Sequence, residues 1–308
     1  MINFRYHIVS LMAVFLALSV GIVIGVTLRP SVDEGLVQQA AQDRRQVQEL
    51  RTELDRVNAL DEYREAWALR VSPVVTAGLL DGQRVALVVM PDAPAQVVES
   101  VAEAVTEAGG TLTRTARLER RAFDPEQSDA AAQALSPYVG PLDLDETMTL
   151  PTRLGRAVGH AVLAKNPVEQ DSLGSAITDS LVRAGLLAVD GDATGQAQLA
   201  IVVTAESATP AQPAELQNAH LQFDLALTAS AVGVVVAGPN SEDIQGTDVL
   251  AIRNDATTVN VLSTVDVADL ASGVTTAVLA GKEQLLGRQG HYGALTGADA
   301  PTPELPVR

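Results

Sequence analysis

Arg84-Val85-Ala86-Leu87-Val88-Val89-Met90 is an almost unbroken apolar run, closed by Pro91-Asp92. A strand with water on one face alternates polar and apolar residues; this one does not, so it suits a strand buried on both faces of a parallel sheet. Working outward, residues 93–109 read as an amphipathic helix stopped by Gly109-Gly110, and residues 111–117 (TLTRTAR) alternate like an edge strand. Together they form one βαβ unit. The pattern resumes with an apolar strand at 198–204, a helix over 213–229, a strand at 232–237, and short apolar strands near 249–252 and 259–262. Helices over 151–164, 171–184 and 267–286 would cover the faces of the sheet. The predicted fold class is α/β, with a Rossmann-like, largely parallel sheet domain and flanking helices over residues 73–297. Residues 124–149 carry no clear pattern, and the tail 298–308, with three prolines, is expected to be disordered.

Upstream, residues 8–28 (IVSLMAVFLALSVGIVIGVTL) hold no charge. As a helix they would reach about 31 Å, enough for a hydrocarbon core of ~30 Å. The rival reading is a cleaved signal peptide, but the run exceeds the ~7 to 15 apolar residues of such a segment and lacks an A-x-A cleavage site after it. One retained transmembrane anchor is expected. The short tail 1–7 favours a cytoplasmic amino terminus, which leaves the bulk of the chain beyond the cytoplasmic membrane. Ala13, Ala17, Gly21 and Gly25 recur every four residues, a small-residue ridge where a second helix can approach closely, although small residues are common in membrane helices anyway.

Residues 29–72 are polar and helix-prone. Leu36, Ala40, Val47, Leu50, Leu54 and Val57 follow coiled-coil spacing, so this stretch reads as a coiled-coil-like stalk for self-association or for a second helical envelope protein. Asp43, Asp61 and Arg64 interrupt the register, which argues against a perfect zipper; the same stripe also fits a helix lying back on its own domain. Ser72-Pro73 is expected to end it.

The 308 residues hold 21 Lys plus Arg against 38 Asp plus Glu, a net charge of −17 that opposes nucleic acid and anionic surfaces. There is no cysteine, which excludes disulfides, thiolate metal sites and cysteine nucleophiles. No GxGxxG follows the first strand, and P-loop, GxSxG and HExxH motifs are absent. No catalytic residue and no cofactor is predicted; the chain is read as a non-enzyme. Ligands of doubly wound sheets bind beyond the carboxyl ends of the strands, which here would gather Asp92, Glu206 and Asn240, though ordinary turn chemistry also puts such residues after strands. Four histidines and four methionines, with no Met-x-x-Met or His-x-His pairing, give no metal site.

The segment Phe15 to Gly25, the stalk after it, the strand Arg84 to Val89 and the late Gly290-His291-Tyr292-Gly293 occur in an order that resembles the mycobacterial copper transport protein B (MctB) family. The resemblance covers nearly the whole chain. It implies an actinobacterial envelope protein with one amino-terminal anchor and a role in copper transport or homeostasis; copper enters only through it, and no ligand residue comes with it. The alternative expectation, from the stalk, is a non-enzymatic scaffold or regulator of cell-envelope assembly, for instance of a cell-wall hydrolase.

Overall fold

The computed structural model describes residues 4–145, 147–167, 171–191, 195–207, 212–241 and 245–304, with the backbone alone at 4–5 and 28–37. Two units divide the chain, Met1–Arg64 and Glu65–Arg308. The first is helical where described. It belongs to helix α1 (Phe4–Thr76), whose stretch Tyr6–Thr27 has a mean hydropathy of 2.6 and no buried residue, so it is long and apolar enough to cross a membrane.

In the second unit, seven strands form one sheet: β1 (Arg84–Val89), β2 (Thr111–Leu118), β3 (Leu187–Asp190), β4 (Leu199–Val203), β5 (Gly233–Ala237), β6 (Ser263–Val265) and β7 (His291–Tyr292). Their spatial order is β3-β2-β1-β4-β5-β6-β7, and every neighbouring pair is parallel except β2 with β3. The chain therefore starts in the middle, winds outward through β2 to β3, and crosses back to β4 beside β1. That reversal makes the gap beyond β1 and β4 the topological switch point, where sheets of this kind hold ligands.

The apolar run of β1 is continuous because it feeds two cores. Ala86, Val88 and Met90 point into one hydrophobic cluster, whereas Val85, Leu87 and Val89 point into the other. The first cluster is closed by α4 (Leu150–Val162), α5 (Ser172–Arg183) and α6 (Ala214–Leu227) through Leu154, Ile177 and Phe223. The second is closed by α2 (Ala95–Glu107) and α8 (Ala271–Leu285) through Val101 and Val278. Helices α4 and α6 meet so closely at Gly155 that a Cβ there would lie 2.4 Å from the carbonyl oxygen of Phe223. Residues 124–149 hold α3 (Ser128–Leu135) between short 3-10 turns.

Several expectations are corrected. The proline at 73 does not break α1, which runs on to Thr76 although Pro73 has no N–H to donate within the helix; beside it, Ser72 accepts from Thr275 Oγ1 on α8 at 2.5 Å. Residues 111–117 are not an edge strand, since β3 adds antiparallel beyond them. Residues 249–252 lie in a helix, α7 (Asp248–Asn254), because Thr247 caps it by accepting from Leu250 N at 3.2 Å. Residues 259–261 form a turn rather than a strand; the strand follows at Ser263. The tail is not free where described: Ala300 pairs with Tyr292, Asp299 N donates to the carbonyl of His291 at 2.7 Å, and Pro303 is buried. Residues 305–308 lie outside the described residues.

Candidate functional site at the switch point

Beyond β1, Met90 and Ala93 are joined by a hydrogen bond of 3.2 Å, with Pro91 and Asp92 between them and Asp92 at φ +64°. This is a type II turn, in which proline suits the second position and the third needs a positive φ. Asp92 tolerates that conformation and accepts from Arg120 Nε at 2.9 Å. Glu206 follows β4, and both acids line one cleft of about 490 Å³ with Arg120, Phe123, Leu216 and His220. Adjoining it, an apolar groove of about 590 Å³ runs between Phe123, Leu150, Pro151 and Leu216.

Asn240 is not brought in. It stands beyond β5, where its backbone N–H donates to Asp269 Oδ1 at 2.6 Å, and it is absent from the cleft's lining. Its neighbour Ser241 accepts from Ser207 N at 3.1 Å, so these polar residues tie two strand exits together. The group that sequence reasoning passed over is His220. It lies on α6, is 3 % exposed, and its Nδ1 sits 3.0 and 3.1 Å from the two oxygens of Asp248 at the start of α7. Nε2 is buried and has no hydrogen-bond partner. The ring of Phe123 meets the imidazole edge-on, with centroids 4.6 Å apart. One helical turn further, Asp224 is fully buried with neither carboxylate oxygen paired. Burial first, and the charge of Asp248 second, push its pKa well above the ordinary carboxylate range.

The other buried histidine is structural. His291 bonds Thr264 through Nδ1 and the carbonyl of Val259 through Nε2, and its burial lowers its pKa. The Gly290-His291-Tyr292-Gly293 segment is a clasp: Asp266 pairs with buried Arg253 at 2.8 Å and accepts from Ala294 N, while Tyr292 hydrogen-bonds Glu283. Gly293, at φ +133°, leaves room for that carboxylate, which a Cβ would approach to 2.0 Å. His160 stands 2.8 Å from Asp171. Among the described residues no three His, Asp or Glu side chains are grouped so as to hold a metal ion.

In the first unit, Ala13, Ala17, Gly21 and Gly25 lie exposed along α1, with nothing within 4 Å of a Cβ built on either glycine. Ala40 is exposed, as are Val47 at 47 %, Leu50 at 62 %, Leu54 at 58 % and Val57 at 39 %. The side chain of Leu36 lies outside the described residues.

Comparison with known proteins adds the identity that the site alone does not carry. The family described as "Copper transport outer membrane protein, MctB" matches residues 1–303. The proteins named Copper transporter MctB of Mycobacterium bovis and Mycobacterium tuberculosis are each 27 % identical, over 97 % of this chain and 98 % of their own length. That of Mycobacterium leprae is 28 % identical over 98 % of this chain and 99 % of its own. A match over residues 1–303 takes in both units, and the chain belongs to the MctB family.

Proposed function

We propose that this chain is a non-enzymatic, membrane-anchored envelope protein that serves copper transport or homeostasis. The observation that carries the reading is the family match across residues 1–303. The helical segment Tyr6–Thr27 serves as the anchor, with the amino terminus in the cytoplasm and the sheet domain outside it. Among the described residues one helix is long and apolar enough to span, the build of a cytoplasmic-membrane anchor, whereas outer-membrane spans are normally closed barrels. One span encloses no lumen, so movement of an ion across the bilayer requires several copies or a partner. The small-residue ridge and the exposed stripe Val47, Leu50, Leu54 and Val57 supply faces for that association.

Copper is cargo in this reading. The cysteine-free chain offers imidazole, carboxylate and scattered thioethers, a donor set that suits copper(II) better than copper(I). The test is titration of each oxidation state into the full-length chain in lipid nanodiscs, with oligomeric mass recorded. Saturable binding of either supports the copper reading; none of either, at any oligomeric state, removes it. The exposed stripe also favours a second reading, a scaffold that recruits an envelope enzyme through its stalk. It predicts a stable complex without copper, lost on replacing Leu50 and Leu54 by Asp.

A further inference from the structure

Within the first unit, α1 carries one narrow apolar seam. Val47, Leu50, Leu54 and Val57 are all exposed, although folding usually buries residues of these types. At ~100° per residue the four spread over about 80° of the helix surface. A helix seated on a sheet or a globular core typically shows an apolar face of ~100° or more, whereas an a/d pair in each heptad gives the narrower seam that fits one other helix. Polar residues bound the seam at both ends. Asp43 stands one heptad before Leu50 and Asp61 one heptad after Leu54, and Asp61 is held by Arg64 of its own chain at 2.7 Å.

The flanks of the seam choose its occupant. With Val47 and Leu54 at a and Leu50 and Val57 at d, the g positions are Gln46 and Glu53 and the e positions Arg51 and Asn58, all exposed. Against a second copy laid parallel and in register, Gln46 meets Arg51 and Glu53 meets Asn58, each an acceptor facing a donor. Glu53 is steadied for this by Arg56 on its own helix. An antiparallel pair over the same four residues sets Arg51 beside its own counterpart and Glu53 beside its own, two like-charge contacts. Membrane insertion adds a second reason. Two chains inserted alike through Tyr6–Thr27 arrive parallel, and sharing a bilayer gives the high effective concentration that a short zipper needs.

We propose that residues 47–57 pair with the same residues of a second copy of this chain, parallel and in register. The pairing rests on the anchored reading above and supplies the second copy that a single span requires.

The chain has no cysteine, so every thiol in the test is a placed one. Single variants Val47→Cys, Leu50→Cys, Leu54→Cys and Val57→Cys of the full-length protein are oxidised in membranes with diamide, which brings in no copper. Arg45→Cys and Thr52→Cys, exposed on the opposite face, are the controls. Disulfide dimers should form at least about tenfold faster at the four seam positions than at the two controls, because a disulfide needs Cα atoms within ~7 Å and only the seam brings like residues that close. Equal rates at all six positions mean random collision and overturn the proposal. So does a failure of all four, the result for a seam covered by another protein or by the chain's own domain. Cross-linking of Val47→Cys with Val57→Cys in a mixture, where neither links to itself, means an antiparallel pair and overturns it too. Each of these failures leaves the copper reading to the metal titration of the unaltered chain.

Discussion

Asp224 is a buried carboxyl group with no hydrogen-bond partner among the described residues, one helical turn from a histidine that is itself paired with an aspartate. Its raised pKa fixes the sign of its effect on stability. Below the ordinary aspartate pKa the folded and unfolded forms are both protonated and nothing is lost; as pH rises the unfolded form ionises first, so folding weakens until the folded pKa is reached. Replacing Asp224 by Leu, of similar shape, should therefore stabilise the protein by about 1–3 kcal/mol at pH 7. The gain in urea midpoint should shrink toward pH 4; a loss at pH 7 would show that the acid is paired in solution. Arg253 makes the opposite case, since its guanidinium is buried against Asp266 and also donates to the carbonyl of Tyr292. Arg253→Met should cost about 3–5 kcal/mol in chemical denaturation, because it leaves that carboxylate charged in the core. Neither residue announced itself in the sequence. The turn at Pro91-Asp92 did, because local chain chemistry sets it; the pairing of His220 with Asp248 depends on two helices meeting across 28 positions, and no local pattern encodes that.

At the scale of elements, legibility follows how much of an element's cause is local. β1, β4 and β5 show themselves through continuous apolar runs, since both faces are buried. α7 and β6 do not. A four-residue apolar run fits a strand or a helical turn equally, and only the Thr247 cap decides for helix, whereas β6 is a Ser-Thr-Val strand with little apolar signal. The break expected at Ser72-Pro73 fails because tertiary contact overrides the proline. One of those contacts is specific: Glu65 accepts from Ala271 N at 2.8 Å, supplying from a distant part of the chain the carboxylate that the first turn of α8 lacks. Glu65→Ala should cost about 0.5–2 kcal/mol, read as a lower melting temperature of the full chain. On α1, Leu50→Asp combined with Leu54→Asp should lower the oligomeric mass in nanodiscs without shifting the melting of the sheet domain; an unchanged mass would show that the exposed stripe is not the interface.

For the whole molecule, the sequence made the class of fold plain: one apolar segment, a polar helix, then alternating strands and helices. It also placed Asp92 and Glu206 beyond neighbouring strand ends, and the structure lines one cleft with both. What it could not place was the order of the outer strands, because β3 and β7 are short and owe their positions to neighbours rather than to their own composition. Those short outer strands have a consequence for handling the protein. A sheet ends in unpaired backbone groups that invite another chain to add on. Beyond β7, the backbone of 299–300 bridges to His291 and Tyr292 and occupies part of that border. The carboxyl-terminal segment thus acts as a guard against self-templating. A chain ended after residue 296 should fold but gather into aggregates rich in intermolecular β-structure, seen as rising thioflavin T fluorescence, whereas an affinity tag appended after residue 308 should leave it dispersed.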